Sequence, residues 1–150
     1  MNTNGWERLL CSYFSKTCID QLAEPLGSDG FEVARVENDG AVIFRRFDVF
    51  IEIGYEVETA PAYSPTVVIG FGDKKYDEAG KPAGAPLWFV IRDDEPSKRY
   101  SFWKFSTEAE LKSVLLRIKD EVLERHASHL WKRTDVLEKL LSNFRAEFGI

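Results

Sequence analysis

At 150 residues, with 44% apolar, 13% aromatic and 30% charged residues, the chain has the composition of one globular domain rather than of a disordered or membrane-embedded segment. The longest apolar runs, such as Leu87 to Ile91, fall far short of the about 20 residues that cross a bilayer, and no basic start with a hydrophobic stretch appears before Asn4. A net charge of −5 argues against general nucleic-acid binding, so a cytoplasmic protein with no membrane and no nucleic-acid partner is expected.

The first element is a helix. Asn4 supplies a cap with Glu7 three residues on, and Trp6, Leu9, Leu10, Tyr13, Phe14 and Thr17 follow at helical spacing. Pro25 and Gly27-Ser28-Asp29-Gly30 mark its end. Cys11 and Cys18 lie about 10 Å apart along this helix, at 1.5 Å per residue, beyond the reach of a disulfide. Both read as small buried apolar residues.

Strands come next. Phe31 to Glu37 and Ala41 to Arg46 flank Asn38-Asp39-Gly40, a turn sequence that predicts a hairpin. From Phe47 to Glu58 the residues alternate. Phe47, Val49, Ile51, Ile53, Tyr55 and Val57 share one side, while Asp48, Phe50, Glu52, Gly54, Glu56 and Glu58 share the other. A continuous strand from Ala41 to Val57 would run about 55 Å, well beyond usual strand length, so a bend or tight turn is expected around Arg45 to Asp48. Thr59 to Pro65 reads as a loop and Thr66 to Phe71 as a strand. Gly72 to Pro86 reads as a long polar connection, either a mobile flap or a wide hairpin loop. Leu87 to Ile91, apolar throughout, reads as a strand in mid-sheet, and Arg99 to Phe105 as the last strand.

The remainder is helical. Thr107 with Glu110 forms a capping box ahead of Leu111, Val114, Leu115, Ile118, Val122 and Leu123. A break falls between His126 and Arg133. Asp135 with Glu138 is placed to cap a last helix carrying Val136, Leu137, Leu140, Leu141, Phe144 and Phe148. This order predicts a single α+β domain over residues 1–150, with an antiparallel sheet of about five to six strands and helices packed on one of its faces.

Catalytic and metal motifs are sparse. His126 and His129 share a helix side, but the sequence places no third ligand to complete a metal site. Gly70-Phe71-Gly72-Asp73 is followed by no helix pattern, which removes the phosphate-loop reading. Neither cysteine has a recognisable histidine partner, and no Gly-x-Ser-x-Gly elbow occurs. Glu52 and Glu56 stand about 13 Å apart along a strand, too far to act as a pair; Glu56 and Glu58 stand about 7 Å apart, a spacing that any acidic strand supplies. No cofactor and no metal are expected.

What remains is a surface. Residues 31–60 carry three basic and seven acidic groups, whereas residues 98–133 carry nine basic and five acidic. Asp48, Glu52, Glu56 and Glu58 form the candidate acidic face for a basic protein partner, with Trp88 and Trp103 as candidate aromatic anchors. Arg117, Lys119 and Arg125 are the cations that would answer this face from within the chain. The sequence leaves the oligomeric state open.

The element order resembles that of small bacterial immunity-like, toxin-neutralising domains. The resemblance covers Leu22 to Leu123. It is carried by a Leu-x-x-Pro-Leu-Gly-x-x-Gly-Phe helix exit at Leu22 to Phe31, by the Arg46-Phe47 strand, and by a Trp103 strand ahead of the Ser106-Thr107-Glu108 helix start. It implies a non-enzymatic protein that binds and neutralises a toxin, and it transfers no functional residue. Two other readings stand beside it: a small acidic secretion chaperone for an effector, and a small-ligand domain or enzyme with a pocket near Gly72 to Pro86 lined by Trp88 and Trp103.

Overall fold

The computed structural model describes residues 4–59, 62–72, 76, 78–90 and 103–149. Helix α1 (Asn4–Ser28) buries Leu10, Phe14, Cys18, Leu22 and Leu26, one row at a strict spacing of four. Leu9, expected on the buried stripe, is instead exposed. Pro25 does not stop the helix, which runs one turn further so that Leu26 reaches the core. The end comes where the Leu26 carbonyl accepts from the backbone N–H groups of Asp29 and Phe31, both at 3.0 Å, and Gly30 takes a positive φ of 92°.

Five strands follow in a simple antiparallel meander: β1 (Glu32–Val36), β2 (Val42–Arg46), β3 (Val49–Thr59), β4 (Ala62–Phe71) and β5 (Gly84–Pro86), hydrogen-bonded in that order. With the helices at either end, this is the expected α+β architecture. Register fixes the two faces. Val42 lies opposite Ile53, Phe44 opposite Ile51 and Ile51 opposite Ile69, and these side chains meet α1 and the later helices in the main core. Ile43, Phe50, Glu52 and Ser64, on the far face, are buried as well.

β4 begins at Ala62 and passes through Pro65, a stretch expected to be loop. The strand tolerates proline there because Tyr63, two residues earlier, turns its N–H and C=O away from β3 to pair with Phe105 at 3.0 and 2.9 Å. The Pro65 nitrogen points the same outward way, where no ladder bond to β3 is lost.

Leu87 to Val90 is not a strand but a short helix, α2. A continuous apolar run does not distinguish a buried strand from a buried helix. Leu87, Phe89 and Val90 are buried in it either way. The Gly72–Pro86 stretch, expected to be connection throughout, ends in a strand: Gly84–Pro86 is β5 and pairs with β4, and a Tyr76–Pro82 bridge stands ahead of it. Of the expected last strand, residues 99–102 lie outside the described residues, and Phe105 makes only its isolated bridge to Tyr63.

Helix α3 (Glu108–Arg117) opens on the expected cap, with Thr107 Oγ1 accepting from the Glu110 N–H at 3.1 Å. It widens into a π-helical segment, Ile118–Ala127, that keeps Ile118, Val122, Leu123 and Ala127 buried at a spacing of four to five. Helix α4 (Ser128–Lys132) breaks at Arg133, and α5 (Thr134–Phe148) completes the chain. Asp135 does not cap α5; its carboxylate accepts from Arg133 Nε and Nη2 at 3.2 and 3.1 Å. Among the described residues no helix is long and apolar enough to cross a membrane.

Candidate functional site

The last pair of the β2–β3 ladder is Arg46 with Val49, which leaves Phe47 and Asp48 as a two-residue turn. The bend expected near Arg45 to Asp48 is therefore here. Phe47 belongs to the turn and not, as its place in the alternation suggested, to the apolar side of the strand. Its φ is +52°, and it is the sole non-glycine described residue with positive φ. A two-residue hairpin with positive φ at the first position alone is the type that takes glycine there. A β-carbon in that conformation costs about 1–2 kcal/mol. The ring offers no burial in return, being 85% exposed.

Neighbouring groups hold the turn. Arg45 Nε donates to the Phe47 carbonyl at 2.9 Å, and the Gly72 N–H donates to the Asp48 carbonyl at 2.8 Å. The Arg46 guanidinium carbon lies 5.4 Å from the centroid of the Phe47 ring, while Arg46 Nη1 donates to the Trp131 carbonyl. Gly30 leaves room for that side chain, since a β-carbon there would stand 3.3 Å from Arg46 Nε. Trp131 is itself fixed, with Nε1 donating to Asp29 Oδ2 at 3.2 Å and its ring edge-on to Phe31 at 5.1 Å. An exposed aromatic tip on a hydrogen-bonded turn results, flanked by the exposed side chains of Arg45 and Asp48.

The acidic face expected on β3 is not continuous. Asp48 is exposed in the turn, but Glu52 is only 5% exposed, with Oε2 enclosed by protein. It stands between Ile43 and Val68 on neighbouring strands, beside a Phe50 that is 0% exposed. Glu56 is exposed, eight residues from Asp48 and so about 26 Å along the strand. Glu58 falls at a register shift between Val57 and Thr59, and its side chain lies outside the described residues. A surface containing Glu52 is excluded by burial, and Asp48 and Glu56 stand at opposite ends of β3.

The tryptophans are not open anchors either. Trp88 is half-buried on α2 against Phe89, at 6.2 Å between ring centroids. Trp103 is half-buried beneath Arg117, whose guanidinium carbon lies 3.9 Å from the ring centroid. Arg117 Nε also donates to Glu121 at 2.9 Å, and Lys119 lies 3.4 Å from Asp120, so these two cations have partners on their own segment. The side chains of Arg125, His126 and His129 lie outside the described residues.

Other titratable groups sit apart from the turn. Burial pushes the Cys18 thiol well above its ordinary value, as suits an inert core residue. The Tyr55 phenol is pushed up to about 12, first by burial and then by Cys11, Asp39 and Tyr63. Both cysteines are free thiols. Among the described residues no group of three or more His, Cys, Asp or Glu side chains converges on a metal-sized site.

One concave feature lies beside the Gly72–Pro86 connection, on the far face of the sheet. It measures about 190 Å³ and is lined by Val68, Tyr76, Pro82, Gly84, Pro86 and Phe144. Its position is the one expected for a pocket, but its lining includes neither Trp88 nor Trp103. Sequence reasoning missed Phe47 because its type fits the strand alternation. The available signal was the length of the Ala41–Val57 run, which demands a turn and puts a bulky residue where glycine belongs.

Compared with protein-family models, with curated proteins and with solved structures, the chain matches none.

Proposed function

We propose that this chain is a non-enzymatic protein-binding domain of the immunity, toxin-neutralising kind, which anchors its partner on the Phe47 turn. The observation that carries the reading is the pairing of strain with exposure: a large apolar side chain in a glycine conformation, with its ring in solvent. Local strain of this sort concentrates at binding and catalytic sites. Entry of the ring into an apolar pocket would contribute about 1.5–3 kcal/mol from burial, enough to offset the strain. Because Arg45 and Arg46 already hold the turn, little ordering entropy is lost on binding. The net charge of −5 favours encounter with a basic partner, and Asp48 beside the ring offers that partner a carboxylate. The acidic contribution is thus confined to the turn and to overall charge, and Glu52 has no part in it.

Phe47→Gly separates binding from folding. Glycine suits the observed φ, so thermal stability is expected to stay level or to rise by up to about 1 kcal/mol. Affinity for the partner captured from the native cell is expected to fall about 30-fold or more, the effect of losing a central anchor. Equal affinity of this variant and the wild type, measured on the same partner, would remove the turn from the interface.

A further inference from the structure

We propose that the cavity on the far face of the sheet, between β4, β5 and α5, binds a small uncharged molecule built on one six-membered aromatic ring. This inference is independent of the Phe47 reading.

The cavity follows from the way two strands and a helix meet. On the far face, Val68 lies opposite Pro86 and Gly70 opposite Gly84. The backbones approach so closely that a β-carbon on Gly70 would stand 2.4 Å from the Ala83 carbonyl oxygen, and one on Gly84 2.6 Å from that of Ile69. No side chain fits at either position, so bare backbone at Gly84 forms part of the lining. The Tyr76–Pro82 bridge makes one rim. Phe144 reaches from α5 to make the opposite wall, and that ring is set by Phe89 at 5.0 Å and Phe148 at 4.9 Å between centroids. The wall therefore exists before a ligand arrives.

Size and chemistry choose the ligand. About 150 Å³ of apolar cavity accepts benzene, so the roughly 190 Å³ here suits one ring with a small substituent. Among the described residues the lining carries no charged side chain, and the Tyr76 hydroxyl is the single polar side-chain group there. A charged ligand would lose its hydration without compensation, whereas a neutral ring meets two aromatic and two proline surfaces.

The probe is p-cresol, titrated into the full chain while the Val68 methyl and Phe144 ring resonances are followed by NMR. Saturable shifts at those residues are expected, with a Kd on the order of 1 mM, reasonable for a ligand of this size. Benzoate, a ring of similar size carrying a charge, is expected to bind at least tenfold more weakly, and this comparison needs no variant. Val68→Phe, which fills the space, is expected to abolish p-cresol binding in a chain that still shows a cooperative unfolding transition. Shifts that never saturate, shifts confined to other residues, or benzoate binding as tightly as p-cresol would each overturn the proposal. None of those outcomes bears on partner binding at Phe47.

Discussion

Trp131→Ala is expected to lower the free energy of unfolding by about 3–5 kcal/mol, the usual cost of truncating a buried aromatic to alanine. Trp131 is 2% exposed and joins parts of the chain distant in sequence. Its indole N–H reaches Asp29 just after α1, its ring meets Phe31 ahead of β1, and its carbonyl accepts from Arg46 at the end of β2. Truncation empties the space between these groups and leaves Asp29 without its indole donor. The loss is a large share of the 5–15 kcal/mol typical of native domains. Urea denaturation checks it, with the midpoint falling while the slope is unchanged. A loss below about 1 kcal/mol would mean that the C-terminal helices are not fastened to the sheet through this residue.

Gly40→Ala is expected to cost about 2–5 kcal/mol, because it combines two separate penalties. Gly40 sits in the β1–β2 turn with φ of +95°, a conformation that a β-carbon disfavours. That β-carbon would also stand 2.5 Å from the Cys11 carbonyl oxygen and 2.8 Å from its Cα, both backbone atoms of α1 that cannot rotate away. Gly80→Ala is the internal reference. Its φ of +79° carries the same conformational penalty, but among the described residues no atom lies within 4 Å of the added carbon. Thermal unfolding of both variants should therefore rank Gly40→Ala well below Gly80→Ala, and the difference reports the closeness of the hairpin turn to α1. Equal losses would show that the turn does not rest on the helix.

Local signals in the chain were sufficient for the architecture. Asn38-Asp39-Gly40 marked a real hairpin, Thr107 with Glu110 a real cap, and the excessive length of Ala41 to Val57 a real turn. Each is a statement about a few neighbouring residues. The misreadings arose where distant packing decides. Period-two alternation separates two strand faces but does not say whether the second face is covered, so Glu52 looked like surface until the burial of Phe50 and Ile43 beside it was seen. Phe50 standing between Asp48 and Glu52 was the one hint of cover in the sequence. Leu87 to Val90 had no periodicity to distinguish strand from helix, and Pro25 stayed inside α1 because the burial of Leu26 outweighs the lost hydrogen bond. The Phe47 site was the least legible part. The length of the run called for a turn near Phe47, but its positive φ and the arginines that hold it leave no mark in composition or spacing.

Crosslinking from position 47 identifies what lies against the Phe47 ring. Phe47→p-benzoylphenylalanine keeps an aromatic group at the turn and, on irradiation in the native cell, joins whatever lies against it. The same label placed at Val57, 62% exposed at the other end of β3, is the control for general surface contact. A partner anchored on the turn gives one discrete adduct from position 47 and none from position 57. An adduct from position 57 alone, or from neither position, would contradict the assignment of the Phe47 turn as the binding site.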